Sequence, residues 1–218
     1  MTTRTAAGTT REPLTRRRVL DAALAYIDQH GLAALSMHKL GAELGVKGMS
    51  LYNHVANKDD VLDGVVETLW DEVERAAPAQ ADWRTGARTL ARAIRDVMHH
   101  HPQAASLITV RQLMPVAALR TVQTHLATMT GSGIPEDRAY ALLRTIWTYA
   151  LGTAQAEICW DTCRDSTRRP AVGDLLRPQT PAELAAVAEI FCGRHDPDAQ
   201  FELGLDLMLR GIGRAPAE

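Results

Sequence analysis

At 218 residues, 46% of them apolar, the chain has material for one large or two small domains with a real core. Few aromatics and many Ala and Leu favour helices over sheets, three cysteines argue against a disulfide framework, and no apolar run approaches the ~20 residues of a membrane span. The net charge of −2 conceals a polarity. Residues 1–58 carry Arg4, Arg11, Arg16, Arg17, Arg18, Lys39, Lys47 and Lys58 against only Glu12, Asp21, Asp28 and Glu43, so a basic head sits on an acidic body. Such a head suits a polyanion. The start, "MTTRTAAGTTREP", has no apolar segment of the secretory kind, and a cytoplasmic protein is expected.

Residues 1–14 lack periodicity and are expected to form a disordered arm. From Thr15, placed to cap it, the pattern turns helical, with Val19, Leu20, Ala23, Leu24 and Ile27 on one face and Gly31 ending the run. Ser36 is placed to cap a second helix carrying Met37, Leu40 and Leu44, which Gly45 closes. A third helix over 48–54 turns Leu51 and Val55 inward. Asn57 then caps a longer helix with Val61, Val65, Val66, Leu69 and Val73 at helical spacing. Asp59 and Asp60 fall in its first turn, where the helix dipole favours carboxylates. Further helices are expected near 82–101, 103–109, 115–130, 136–162, 180–193 and 198–212, with a long loop over 163–179. The chain reads as all-α.

Helix, sharp turn, helix over residues 37–54 is the arrangement whose second helix enters the DNA major groove. Gly41 supplies a small residue where the second helix must approach the first. Lys47, Gly48, Met49, Ser50, Tyr52, Asn53 and His54 are left on the outer side. Asn and Ser read base edges, Met suits a thymine methyl, and Tyr52 and Lys58 suit phosphates. Ser36 and His38, opening the preceding helix, suit an adjacent phosphate.

The stretch "AALAYIDQHGLAALSMHKLGAELGVKGMSLYNHVANKDDVLD" resembles the DNA-binding domain of the tetracycline-repressor (TetR) family over residues 15–60. "YALLRTIWTYALG" and "FELGLDLMLRGI" resemble the central and last helices of that family's tetracycline-responsive subgroup. By position, the resemblance gives base-edge contacts to Gly48, Met49, Ser50 and Asn53. It gives phosphate contacts to Ser36, His38, Tyr52, His54 and Lys58. Gly48 and Met49 depart from the polar or proline residues often found there, so the resemblance does not carry an operator sequence with it.

Residues 61–218 are then expected to form a ligand-binding and dimerisation bundle. The helices over 136–160 and 198–212 are apolar nearly all round and need covering on several sides. The resemblance makes them the pair that forms a four-helix interface in a homodimer. Members of the subgroup hold a magnesium-chelated drug through a His, a Thr and a Glu, where this chain has Ile108, Arg111 and Ala156, with Glu157 one residue off. Ile108 cannot ligate a cation and Arg111 repels one, so a magnesium–tetracycline effector is not expected. The lining expected for another small molecule is Leu90, Ile94, Ile108, Arg111, His125, Trp147 and Glu157, with Arg111 suited to an anionic or carbonyl group.

The function so implied is a ligand-responsive repressor released from a palindromic double-stranded operator by a small molecule, with no metal or other cofactor and no membrane partner. Two alternatives stand beside it. Cys159 and Cys163, at i and i+4, suit a metal- or redox-responsive regulator. The body alone suits a small-molecule-binding bundle that never touches DNA. No GxSxG, P-loop or GxGxxG motif points to an enzyme, and His99, His100 and His101 suit the capping of a helix end.

Overall fold

The computed structural model describes residues 13–111, 113–162, 172–193 and 196–211, and the described residues are helical without a strand. α1 (Arg16–His30) begins where the Thr15 hydroxyl accepts from the Arg18 amide and ends at Gly31. A single 3₁₀ turn, Leu32–Ala34, leads to α2 (Met37–Glu43), capped by Ser36. α3 (Gly48–Leu51) follows, then α4 (Lys58–Ala76), whose first turn is capped by the Asn57 side chain accepting from the Asp60 amide at 2.9 Å. Each of these three polar caps stands where the sequence placed it.

α5 (Trp83–His100), α6 (Ala105–Val110), α7 (Val116–Gly131), α8 (Glu136–Thr162), α9 (Ala182–Ala188) and α10 (Pro197–Gly211) make the body. α9 runs into a wider turn over Glu189–Gly193. The arm expected over residues 1–14 lies outside the described residues except Pro13 and Leu14, and Leu14 packs on the core. The loop expected over 163–179 is described only from Val172, which opens a 3₁₀ turn to Leu175.

α4 joins the two parts of the molecule. Its Val61, Val65, Val66, Leu69 and Val73 are fully buried, and it packs on α1 at one side and on α5 and α7 at the other. One apolar core therefore runs unbroken from Val19 to Leu209, so a displacement in the body reaches the head through packed side chains rather than through a linker.

The body is clamped by charge at its edge. Arg88, Arg92 and Arg95 on one face of α5 meet Asp206, Glu202 and Asp198 on α10, and Arg95 also forks onto Glu157 of α8. The Tyr149 hydroxyl donates to the Phe201 carbonyl at 3.0 Å, and Phe201, Leu205 and Leu209 are buried beneath. α8 buries Leu142, Leu143, Ile146, Ala150, Ala154 and Ile158 at helical spacing. The opposite faces differ. On α10, Leu203 and Leu207 stand 61% and 64% exposed, far above what an internal apolar helix face shows. Among the described residues no helix is long and apolar enough to cross a membrane.

Candidate functional site

The hairpin of α2 and α3 is built from the inside out. Leu40, Leu51 and Val55 are buried in the common core, with Met37, Leu44 and Val46 packed at its margin. Gly45 has φ +64°, a left-handed turn that a side chain disfavours, and the Val46 amide closes it onto the Gly41 carbonyl at 2.8 Å. Gly41 itself faces the start of α3: a Cβ there would lie 2.8 Å from the Gly48 amide nitrogen and 2.9 Å from its Cα. Two backbones touch at this point, and only a glycine fits.

What remains outside is the expected set of DNA-reading residues. Lys47, Met49, Tyr52, Asn53 and Lys58 are exposed, and Ser50 and His54 are half-buried at the flanks. Met49, at 76%, is among the most exposed large apolar side chains of the head. Ser36 is half-buried and His38 exposed at the opening of α2, on the same hairpin. The Ser36 oxygen already accepts from the Lys39 amide, so its hydroxyl hydrogen is the part that can serve a phosphate.

Two expectations change in detail. The third helix, expected over 48–54, is helical only to Leu51. Residues 52–54 form a closing turn in which the His54 and Val55 amides both donate to the Leu51 carbonyl, at 2.9 and 3.0 Å. Tyr52, Asn53 and His54 therefore project from the turn after the short helix rather than along it. Gly48, a base-edge candidate by resemblance, also has a packing duty, since a Cβ would meet the Met37 carbonyl at 3.2 Å.

A clasp that the sequence did not reveal fixes the head. Arg16 of α1 donates both guanidinium arms to Asp60 of α4, at 2.8 and 3.0 Å, and Asp60 also accepts from the Ala56 amide at 2.7 Å. The Arg16 bonds hold the Asp60 carboxyl below its ordinary range. The sign follows: a depressed carboxylate stabilises the fold above its unfolded value, and that contribution is lost as pH falls through the folded one. Asp60→Asn is thus expected to lower the urea midpoint at neutral pH, with the difference from wild type shrinking on acidification below about pH 4.

The residues expected to line a ligand site divide. Leu90, Ile94, Ile108 and His125 are buried in the body core, and half-buried Trp147 stacks on Trp70 of α4 at a 4.2 Å centroid separation. Arg111 and Glu157 are already engaged. Arg111, at the end of α6, turns to α4, where it pairs with Asp63 and reaches Asp59 at 3.3 Å, instead of offering its charge to a ligand. Glu157 accepts from Arg95 and lies 2.7 Å from the His99 ring. Open grooves lie elsewhere. One of about 600 Å³ is bordered by Leu119, Val122, Leu126, Ile134 and Tyr140, and one of about 530 Å³ by Thr109, Thr148, Leu151, Gly152 and Cys159.

Cys159 is exposed on α8, and Cys163 lies outside the described residues. Among the described residues no three His, Cys, Asp or Glu side chains are arranged to hold a metal.

Comparison with known proteins decides the family. The head matches the model of "Bacterial regulatory proteins, tetR family" over residues 19–65, and residues 76–215 match "Tetracyclin repressor-like, C-terminal domain". The chain belongs to the TetR family. As a TetR-family protein it is a ligand-responsive DNA-binding transcriptional regulator, in a family made up of transcriptional regulators. An HTH-type transcriptional regulator of Saccharopolyspora erythraea is 29% identical, over 93% of this chain and 86% of its own. The class D tetracycline repressor protein of Escherichia coli is 28% identical over 91% and 89%. The crystal structure of Streptomyces coelicolor ActR in complex with actinorhodin superposes with a TM-score of 0.74 at 25% identity, covering 94% of this TetR chain and 98% of ActR.

Proposed function

We propose that this regulator is a homodimeric repressor whose two heads, residues 15–60, grip the half-sites of a palindromic operator, while residues 61–218 sense a small molecule and dimerise. The observation that carries the reading is the division of the α2–α3 hairpin. Its apolar residues are buried in the common core, and its polar residues with Met49 face outward as one surface. Met49, Ser50 and Asn53 read base edges, with Gly48 beside them at the start of α3. Ser36, His38, Lys47, Tyr52, His54 and Lys58 hold phosphates and set the register.

The partner subunit covers the exposed faces of α8 and α10, where Leu203 and Leu207 stand out. A twofold pair of heads then meets successive major grooves, about one helical turn of DNA apart. The effector binds in the body and is not magnesium–tetracycline: Ile108 is a buried aliphatic side chain that offers a cation no ligand, and Arg111 is held by Asp63 and Asp59. That a structural relative was solved with actinorhodin supports an organic effector. Arg111, tying the end of α6 to the first turns of α4, passes the change to the head. The coupling between the two sites amounts to about 1–3 kcal/mol or more.

Two substitutions separate reading from gripping. Asn53→Ala is expected to narrow the ratio of operator to random-DNA affinity, at a cost of about 1–3 kcal/mol on operator alone. Lys58→Ala is expected to weaken both DNAs alike and to reduce the salt slope by about one. Fluorescence anisotropy across a salt series measures both. An Asn53→Ala loss equal on operator and random DNA would remove Asn53 from the reading set.

A further inference from the structure

The described core holds three buried polar side chains, Thr68, Thr121 and His125. Two are satisfied within their own helices: the Thr68 hydroxyl donates to the Gly64 carbonyl at 3.0 Å, and the Thr121 hydroxyl to the Ala117 carbonyl at 2.9 Å. His125 is different. Its Nδ1 lies 2.9 Å from the Thr121 carbonyl, which only accepts, so Nδ1 carries the proton. In an uncharged imidazole that leaves Nε2 as a bare acceptor. Nε2 is buried and has no partner, on a side chain only 3% exposed. An unpaired buried acceptor costs about 1–3 kcal/mol, a cost that a partner arriving later relieves.

The position of the ring says where such a partner would come from. Cδ2, the carbon bonded to Nε2, faces Gly86 in the first turn of α5: a Cβ on Gly86 would sit 3.7 Å from His125 Cδ2 and 3.6 Å from Gln80 Cβ, in ordinary contact. The absent side chain leaves room for a methyl-sized group beside the ring, beneath half-buried Gln80 of the α4–α5 connection. Deeper in the body the expected lining, Leu90, Ile94 and Ile108, is aliphatic.

Resting on the reading of the body as an effector site, we propose that the effector is a largely apolar molecule bearing a hydroxyl or N–H group that donates a hydrogen bond to Nε2 of His125. The core selects for that proton. A carbonyl or ether oxygen at the same place meets a lone pair with a lone pair, so such compounds are rejected even when their shape fits. The apolar body of the molecule supplies affinity by burial, and His125 supplies discrimination.

Matched probes test this on the whole protein: 2-naphthol and 2-methoxynaphthalene, measured by calorimetry and by the ¹⁵N signals of histidine-labelled protein. 2-Naphthol is expected to bind about tenfold more tightly than its methyl ether, the equivalent of one hydrogen bond to a buried acceptor. It alone is expected to move the Nε2 signal of His125. His125→Phe should equalise the two probes. His125→Gln, whose amide both accepts and donates, should bind both, and the wild-type ratio stands even where a variant fails to fold. Equal binding of the two probes to wild type, no binding of 2-naphthol, or an unmoved Nε2 signal overturns the proposal. Operator release, followed in the same titrations, separates it from the underlying reading. Release without preference for the hydroxyl overturns the His125 assignment and leaves the sensor intact. A tenfold preference at Nε2 without release supports the recognition and shows that the body is not a sensor.

Discussion

Gly41→Ala is expected to abolish operator binding and to destabilise the head by about 3 kcal/mol, the upper end of what overpacking costs. The added methyl would sit 2.8 Å from the Gly48 nitrogen, 2.9 Å from its Cα and 3.0 Å from the Val46 carbonyl oxygen. All three are backbone atoms, of Val46 in the connection and Gly48 at the start of α3, so no side chain can swing away to relieve the contact. α3 must lift off α2. That lift moves Met49, Ser50, Tyr52 and Asn53 together, and a shift of an ångström at the base edges removes bidentate hydrogen bonds. Gly64 gives the instructive contrast, since a Cβ there would meet the Leu20 side chain, both methyls and Cγ, rather than backbone. Urea unfolding and anisotropy against operator DNA measure the two effects. Wild-type affinity in Gly41→Ala would show that the hairpin is not the rigid reader described above.

The second large effect concerns assembly. Leu203→Glu with Leu207→Glu is expected to turn the dimer into a monomer in sedimentation, with a fall in operator affinity of about two to three orders of magnitude. Both leucines lie on the face of α10 opposite the buried Phe201, Leu205 and Leu209, so the isolated subunit has little reason to lose its fold. Covering each leucine in an interface is worth about 1.5–3 kcal/mol, and twofold symmetry counts every contribution twice. In the proposed interface the substitution places four carboxylates in the stead of four leucines. A dimer that persists would move the interface to another exposed face, such as that of α9 with Leu184 and Val187.

Much of the fold was legible because its signals are local. Thr15, Ser36 and Asn57 are side chains that cap whatever helix follows them, and the apolar stripe of α4 repeats within its own length. The extent of α3 was not legible. Leu51 and Val55 keep an i, i+4 spacing whether the chain continues as a helix or closes in a turn, and here both the His54 and Val55 amides return to Leu51. Ion pairs were beyond reach for a different reason. Arg16 and Asp60 are 44 residues apart and Arg88 and Asp206 118 apart, and no local pattern couples such positions.

The same limit explains the body. Arg111 and Glu157 are expected at a ligand because resemblance places Arg111 itself, and Ala156 beside Glu157, there. Asp63, Asp59 and Arg95 take their charges instead, and these partners lie on other helices. His125 shows the converse. Its type and place on α7 made it a candidate, yet its significance lies in the unpaired Nε2, which only the surrounding structure exposes.

The central claim is that the outward surface of the α2–α3 hairpin reads one DNA sequence as a symmetric pair. The direct measurement is to recover the preferred duplex from a random library with the full chain, then compare its affinity with that of scrambled DNA at one fixed salt concentration. The structure predicts a palindrome with half-sites about one helical turn apart, bound by two chains at least a thousandfold more tightly than scrambled sequence. No enriched sequence, or equal affinity for the two duplexes, would contradict it.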